Sequence, residues 1–200
     1  MSQPKLLVVG PSWVGDMVMA QSLFKTILSQ SPTTLIDVIA PEWSLALTKR
    51  MPEVNKGIIS PIKHGEFGIM KRFQLSEWIR PSKYDQAIVM TRSWKAALVP
   101  WFAGIPIRTG YRGEMRYFLI NDMRSLGTKT LNQTVKRFVA LGSLSSQLPA
   151  IESPSLSVSV ENIDIILNKL NLDIKKPGPQ KPMAQMLLCR LFSELFTLQN

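Results

Sequence analysis

The chain has 200 residues, 45% of them hydrophobic, and a formal net charge of +10. That suffices for one large domain or two small ones. The single cysteine (Cys189) and single histidine (His64) exclude a disulfide framework and argue against a zinc site, and no run reaches the ~18–20 apolar residues of a membrane span. The charge asks for an anionic partner: nucleic acid, anionic lipid, or a phosphorylated or carboxylated substrate.

The first apolar run, Leu6 to Val9, reads as a buried parallel strand, ended by Gly10-Pro11. It is too short for a secretory signal. Gly15 suits a tight turn or close backbone approach, and Asp16 suits the N-cap of a helix whose stripe is Met17, Ala20, Phe24 and Ile27/Leu28. Ligands of open α/β sheets bind at such a strand-loop-helix mouth. Gly10 and Gly15 have phosphate-loop spacing, but Asp16-Met17 stands where Lys and Ser/Thr belong, and a carboxylate there repels phosphate. A dinucleotide fingerprint fares little better. Ser12 replaces its middle glycine, and Asp37, about 20 residues on, falls inside a strand. Asp16 therefore either caps its helix or serves as a general base, held ionised by the helix N-terminus.

Further strands are expected at Leu35–Ala40, Gly57–Ser60, Gln86–Met90 and Ile107–Gly110, with helices over Glu42–Met51, Ile69–Ile79, Trp94–Ala103 and Asn132–Leu141. Ser93 is the expected cap of the third of these. The alternation predicts an α/β fold, a Rossmann-like parallel sheet flanked by helices. Ser143 to Pro154 reads as a linker, Leu156–Val160 as a strand and Asn162–Leu170 as a helix. The prolines at 177, 179 and 182 mark a boundary, followed by an apolar helix over Met183–Phe196. The expected division is 1–174 and 175–200. From Arg92 to Arg124, six basic residues face only two acids, Glu114 and Asp122.

Two long runs carry a resemblance: Gly10-Pro11-Ser12-Trp13-Val14-Gly15-Asp16-Met17-Val18-Met19, and Ala97 to Pro106 with Arg108-Thr109-Gly110-Tyr111-Arg112-Gly113-Glu114-Met115-Arg116-Tyr117. Asn121-Asp122 extends the second. Over roughly Lys5 to Leu170 the chain resembles the ADP-heptose:lipopolysaccharide heptosyltransferases of glycosyltransferase family nine. The resemblance implies the N-terminal half of a GT-B glycosyltransferase, which binds the acceptor while a C-terminal half binds ADP-heptose. It implies Asp16 as base on the acceptor hydroxyl, with inversion, no cofactor and no metal. It implies that Gly15, Ser93, Lys95, Arg108, Arg112, Glu114 and Arg116 contact an anionic lipopolysaccharide inner core, arginine forks gripping carboxylate or phosphate. The expected setting is cytoplasmic, at the inner face of the inner membrane, with peripheral membrane contact and no nucleic acid.

Two departures accompany the resemblance. Thr91-Arg92-Ser93-Trp94-Lys95 stands where a Pro-Asn-Ser-Phe-Lys type segment is expected, so Arg92 is out of pattern. Lys175 onward does not resemble a donor domain. A non-native tail from about Lys176 is therefore expected, and with it a truncated form inactive alone. Two rival readings are a nicotinamide-dependent Rossmann oxidoreductase, against which Ser12 argues, and a basic nucleic-acid module. The latter would use Lys95, Arg112 and Arg116 beside Trp94, Trp101, Tyr111 and Tyr117. No helix-turn-helix, zinc or RNA-recognition signature supports it.

Overall fold

Both faces of the first strand are covered, which is why it reads as a continuous apolar run. In the computed structural model, which describes residues 3–63, 65–125, 127, 131–143, 149–157 and 165, that strand is β1 (Lys5–Val9). Leu6 and Val8 join one core with Phe24, Ile36, Val38 and Phe138, while Leu7 and Val9 join another with Ile39, Ile79, Val89 and Val99. Successive strand side chains point to opposite faces, so a strand between two helix layers needs apolar residues at every position.

The remaining strands are β2 (Leu35–Ala40), β3 (Lys56–Ile59), β4 (Gln86–Val89), β5 (Ile107–Tyr111) and β6 (Asp122–Arg124). Their order is β3-β2-β1-β4-β5-β6 and every pair is parallel. Val9 lies opposite both Ile39 and Val89. The helices are α1 (Val14–Gln30), α2 (Glu42–Thr48), α3 (Ile69–Ile79), α4 (Trp94–Phe102) and α5 (Thr134–Gly142), with a short 3-10 turn at Arg80–Ser82. α1, α2 and α5 pack on the first core, α3 and α4 on the second. The sheet is thus a doubly wound Rossmann-like sheet, as expected. β6 escapes the sequence reading because Asp-Met-Arg is short and polar; it pairs only as an edge, Thr109 opposite Asp122.

Two corrections concern local structure. α1 begins at Val14, with Trp13 in extended conformation as its N-cap, so Asp16 lies inside the first turn rather than capping it. Gly15 is likewise helical and forms no turn. The stretch read as a linker is also not free. Gln21, fully buried on α1, donates to Glu53 Oε2 (2.9 Å) and Ser155 O (2.7 Å) and accepts from Ser155 N (2.8 Å). Ser22 Oγ donates to Glu152 O, and Ser157 N to Arg50 O. Residues 152–155 are therefore strapped along α1 by the buried side chains of Gln21 and Ser22, and Ser157 is held to the segment after α2. Leu156 and Ser157 belong to no strand, and residues 158–160 lie outside the described residues.

Packing divides the chain into Met1–Ser157 and Val158–Asn200. The boundary expected at 174/175, the helix at 183–196 and His64 lie outside the described residues, as does the helix at 162–170 apart from Ile165.

Two buried tyrosines tie the fold to pH. Tyr84 donates to Asp37 Oδ2 (2.6 Å), and Tyr111 to Arg137 O (2.7 Å). Burial, reinforced by the Asp37 hydrogen bond, pushes the Tyr84 phenol well above its ordinary value. Burial pushes Tyr111 up to about 12 against the opposing charges of Arg137 and Arg124. An unfolded tyrosine releases its proton near ~10, while the folded state retains it, so the folded state binds more protons and stability falls as pH rises. We expect the urea midpoint to be flat below pH ~10 and to drop through pH ~12, with Tyr111→Phe reducing the drop. An equal drop in a Tyr84→Phe/Tyr111→Phe double variant would assign it to other groups.

Candidate functional site

Strand order reverses between β1 and β4, and in an open α/β sheet the crevice outside the carboxyl ends at that point is where ligands bind. A cleft of about 310 Å³ lies there. The loop after β1 contributes Gly10 and Ser12, the end of β2 contributes Pro41 with Trp43 of α2, and the loop after β3 contributes Ser60, Lys63 and Glu66. Thr91 and Ser93 come from the loop after β4, Lys95 from the first turn of α4 and Arg72 from α3. The wall is therefore rich in hydroxyls and lined by three cations against one acid.

Each charged group has a fixed place. Arg72 is buried; its Nε donates to Phe67 O (2.8 Å) and its Nη1 to Lys95 O (2.9 Å), clamping α3 to α4. Burial lowers its affinity for a proton, and Glu66 opposes that. Its Nη2 makes no hydrogen bond among the described residues. Glu66 is already engaged, paired with Lys71 at 2.7 Å and accepting from Lys63 N at 3.1 Å. Lys95 Nζ stands 5.7 Å from the Phe67 ring centre, a cation–π contact at the rim. Trp43 is held by its indole N–H, which donates to Ser12 O at 2.9 Å. Thr91 Oγ1 is buried without a hydrogen-bond partner among the described residues. Such a group normally finds a partner in water or ligand.

Of the residues expected from the sequence, Ser93 and Lys95 line this cleft and the others do not. Asp16 sits half-buried in the first turn of α1, on the same carboxyl edge, and its carboxylate makes no hydrogen bond or ion pair among the described residues. Gly15 beside it is exposed, and a Cβ there would meet nothing within 4 Å, so the space over the helix mouth is open.

Arg116 requires a correction. Its side chain is 1% exposed. Its guanidinium donates to Tyr111 O through Nη2 (2.6 Å) and Nε (3.2 Å), and through Nη1 to Thr91 O (2.6 Å) and Ser93 O (3.3 Å). It ties the loop after β5 to the loop after β4 and has no face left for an acceptor. Gly110 makes room for it: a Cβ there would stand 3.2 Å from Arg116 Nη2. Arg108 is corrected in the same way. It lies toward the amino end of β5, away from the cleft, and its guanidinium donates to Leu119 O and Ile105 O. Glu114 is engaged too: its Oε2 accepts from Trp94 N (3.0 Å) at the mouth of α4, the capping task expected of Ser93, whose hydroxyl makes no cap bond. Arg124 pairs with Asp122 at 3.0 Å. The basic run is therefore not one continuous wall. Arg112 remains exposed, facing a separate concavity beside Arg92.

The sequence reading missed Arg72 and Trp43. Both look like ordinary amphipathic-helix residues, and only the packing of α3 on α4 and of α2 on the first loop turns them to the cleft. Asp37 drops out as a ribose ligand, since Asn55 Nδ2 (2.7 Å) and Tyr84 Oη (2.6 Å) both donate to it. That removes the dinucleotide-binding argument for an oxidoreductase.

Comparison with known proteins decides the family. The model of glycosyltransferase family 9 (heptosyltransferase) matches residues 72–189. The chain belongs to that family. Over 180 residues it is 44% identical to lipopolysaccharide heptosyltransferase 2 of Escherichia coli K12, covering 86% of this chain and 52% of the relative. It is 47% identical over 145 residues to lipooligosaccharide heptosyltransferase 2 of Haemophilus ducreyi, covering 72% of this chain and 41% of the relative. The solved structure of E. coli ADP-heptose lipopolysaccharide heptosyltransferase II superposes with a TM-score of 0.75 at 42% identity, covering 86% of this chain and 52% of that one. A family 9 glycosyltransferase of Veillonella parvula shares the fold, with a TM-score of 0.73 at 14% identity over 86% of this chain and 52% of that one. The sheet is thus that of the GT-B glycosyltransferases, and this family 9 chain spans about half the length of the curated relatives it matches. The matched segment contains Arg72, Ser93, Lys95 and the whole Arg112–Arg116 loop.

Proposed function

We propose that this chain is the acceptor-binding half of a lipopolysaccharide heptosyltransferase, and that the cleft between the β1 and β4 loops receives a sugar of the anionic inner core. The observation that supports this most directly is the cleft wall, where Ser12, Ser60, Thr91 and Ser93 stand beside Lys63, Arg72 and Lys95. Hydroxyls exchange hydrogen bonds with a polyol, and ammonium and guanidinium groups pair with sugar-acid carboxylates or phosphates. The Thr91 hydroxyl and Arg72 Nη2, both without a hydrogen-bond partner among the described residues, fit the same occupant.

In the reaction we infer, ADP-heptose is held by a second half. Asp16 takes the proton of the attacking acceptor hydroxyl as the anomeric C–O bond to ADP breaks. Inversion follows from direct attack, and ADP leaves with the bonding pair. Asp16 is suited to this by its place in the first turn of α1, where no neighbouring group among the described residues competes for its carboxylate. We assign the reaction no metal or other cofactor. No helix among the described residues is long and apolar enough to cross a membrane. The exposed cations fit work in the cytoplasm, in peripheral contact with the inner face of the inner membrane, where a lipid-anchored acceptor would be presented. No role with nucleic acid is proposed.

The test is binding of deacylated lipopolysaccharide core to the 200-residue chain. Lys95→Ala is expected to weaken it about tenfold or more, as for loss of one charge-assisted contact. Unchanged binding in Lys95→Ala, or equal affinity for a neutral oligosaccharide of the same size, would overturn the assignment.

A further inference from the structure

We propose that Arg92 and Arg112 form a second anion subsite, outside the sugar cleft, that takes a phosphate monoester group. The proposal deepens the function above, because it gives the phosphate of a phosphorylated acceptor a place of its own. Arg92 follows β4 and Arg112 follows β5, so both stand at the carboxyl edge of the sheet. Together with Gly113, Glu114, Tyr117 and Ser125 they line a concavity of about 510 Å³.

The two loops are built to close on each other. A Cβ at position 113 would stand 3.0 Å from Arg92 O and 3.3 Å from its Cβ, so glycine lets the second loop pack closely on the first. Arg112 is aimed by Tyr117: its Nε donates to the phenol oxygen at 3.3 Å, and its guanidinium carbon lies 5.8 Å from the ring centre. Its terminal nitrogens make no hydrogen bond among the described residues. Arg92 is exposed and makes no hydrogen bond or ion pair among the described residues.

The surrounding charge is unbalanced. Arg116, in the same loop, is buried and bonded only to backbone carbonyls, so its charge is not neutralised by a hydrogen-bonded carboxylate. Arg92 is close enough to add to the burial that already disfavours the Arg116 cation, and Glu114 partly offsets both. Glu114, the acid in the lining, spends one oxygen on Trp94 N. The concavity is thus lined by two arginines against one carboxylate. A phosphate monoester carries about −1.5 to −2 charge and three terminal oxygens, which suits two arginine forks better than a carboxylate does. Arg92 is also the residue at which this chain departs from the Pro-Asn-Ser-Phe-Lys type segment, so the second fork belongs to this chain's own pattern.

The experiment titrates the 200-residue chain with inorganic phosphate at constant ionic strength, following the arginine Nε–Hε signals by NMR, with acetate as the carboxylate control. Arg92 and Arg112 are expected to shift together on one saturating curve, with acetate at least tenfold weaker. Arg92→Asn and, separately, Arg112→Gln are each expected to weaken phosphate binding roughly 10- to 100-fold, with the urea midpoint unchanged. Lys95→Ala, which tests the sugar cleft, is expected to leave phosphate binding intact, so failure of the cleft reading does not move this result. Phosphate binding unaltered by Arg92→Asn, or saturation at Arg72 instead, would overturn the proposal.

Discussion

Replacing Asp16 by Asn is expected to lower the turnover of a two-domain enzyme by roughly 10²–10⁴-fold, the range typical of a lost general base. The measurement joins this chain to the second half of the E. coli relative and follows heptose transfer to lipopolysaccharide core. The substitution is nearly isosteric. Asp16 makes no hydrogen bond or ion pair among the described residues, so little structure depends on it. The helix begins at Val14, with Trp13 at its N-cap, and does not need Asp16 as its cap, which separates a chemical effect from a structural one. The loss should therefore appear in kcat, with acceptor affinity and the urea midpoint close to the parent. Turnover within a few-fold of the parent would reject Asp16 as the base. A fall in unfolding stability of ~1 kcal/mol would return it to the role of a helix-terminus charge.

Arg116→Ala is expected to have the largest effect on stability, at least about 3 kcal/mol. The carbonyls of Thr91, Ser93 and Tyr111 lose their donors, and each buried, unsatisfied acceptor costs about 1–3 kcal/mol. A cavity the size of a fully buried arginine adds to that. Arg112→Ala, four residues earlier and exposed, is expected to change stability by no more than ~0.5 kcal/mol. Urea denaturation of both variants checks the contrast. Arg116→Lys should recover only part of the loss, because an ammonium cannot reproduce the planar fork that spans two loops. If Arg116→Ala kept the parent midpoint and lost core binding instead, Arg116 would be an acceptor ligand after all.

Much of the architecture is legible in the sequence. Short apolar runs separated by helical periods announce a parallel α/β sheet, because a strand covered on both faces must be apolar at each position. Leu35–Ala40 and Ile69–Ile79 agree with the structure to the residue, each bounded by a proline or glycine. β6 does not announce itself, since a three-residue edge strand has no periodicity to read. The strap over α1 is illegible for a different reason. Serines and prolines resemble a linker, and only the buried amide of Gln21, in the middle of α1, reveals what they bind.

For the site, the glycine loop, the helix mouth with Asp16, and Ser93 and Lys95 could be named from the chain alone. Which arginines are free could not. Arg108, Arg112 and Arg116 are the same residue type in one basic run, and local sequence treats them alike. What separates them is long-range. Gly110 lets the Arg116 guanidinium reach carbonyls more than twenty residues away in sequence, at Thr91 and Ser93. Arg108 is turned to the opposite end of the strand, and Arg112 is left outside. Arg72 makes the converse point: a polar position on an amphipathic helix becomes a buried wall of the cleft once α3 packs on α4. Periodicity depends on neighbours three or four positions away, so the chain alone determines the elements and the layers they form, while the strand order comes from the assembled sheet. The partner of a long, charged side chain is set by which loops meet at the sheet edge, and that is decided only when the strands are assembled.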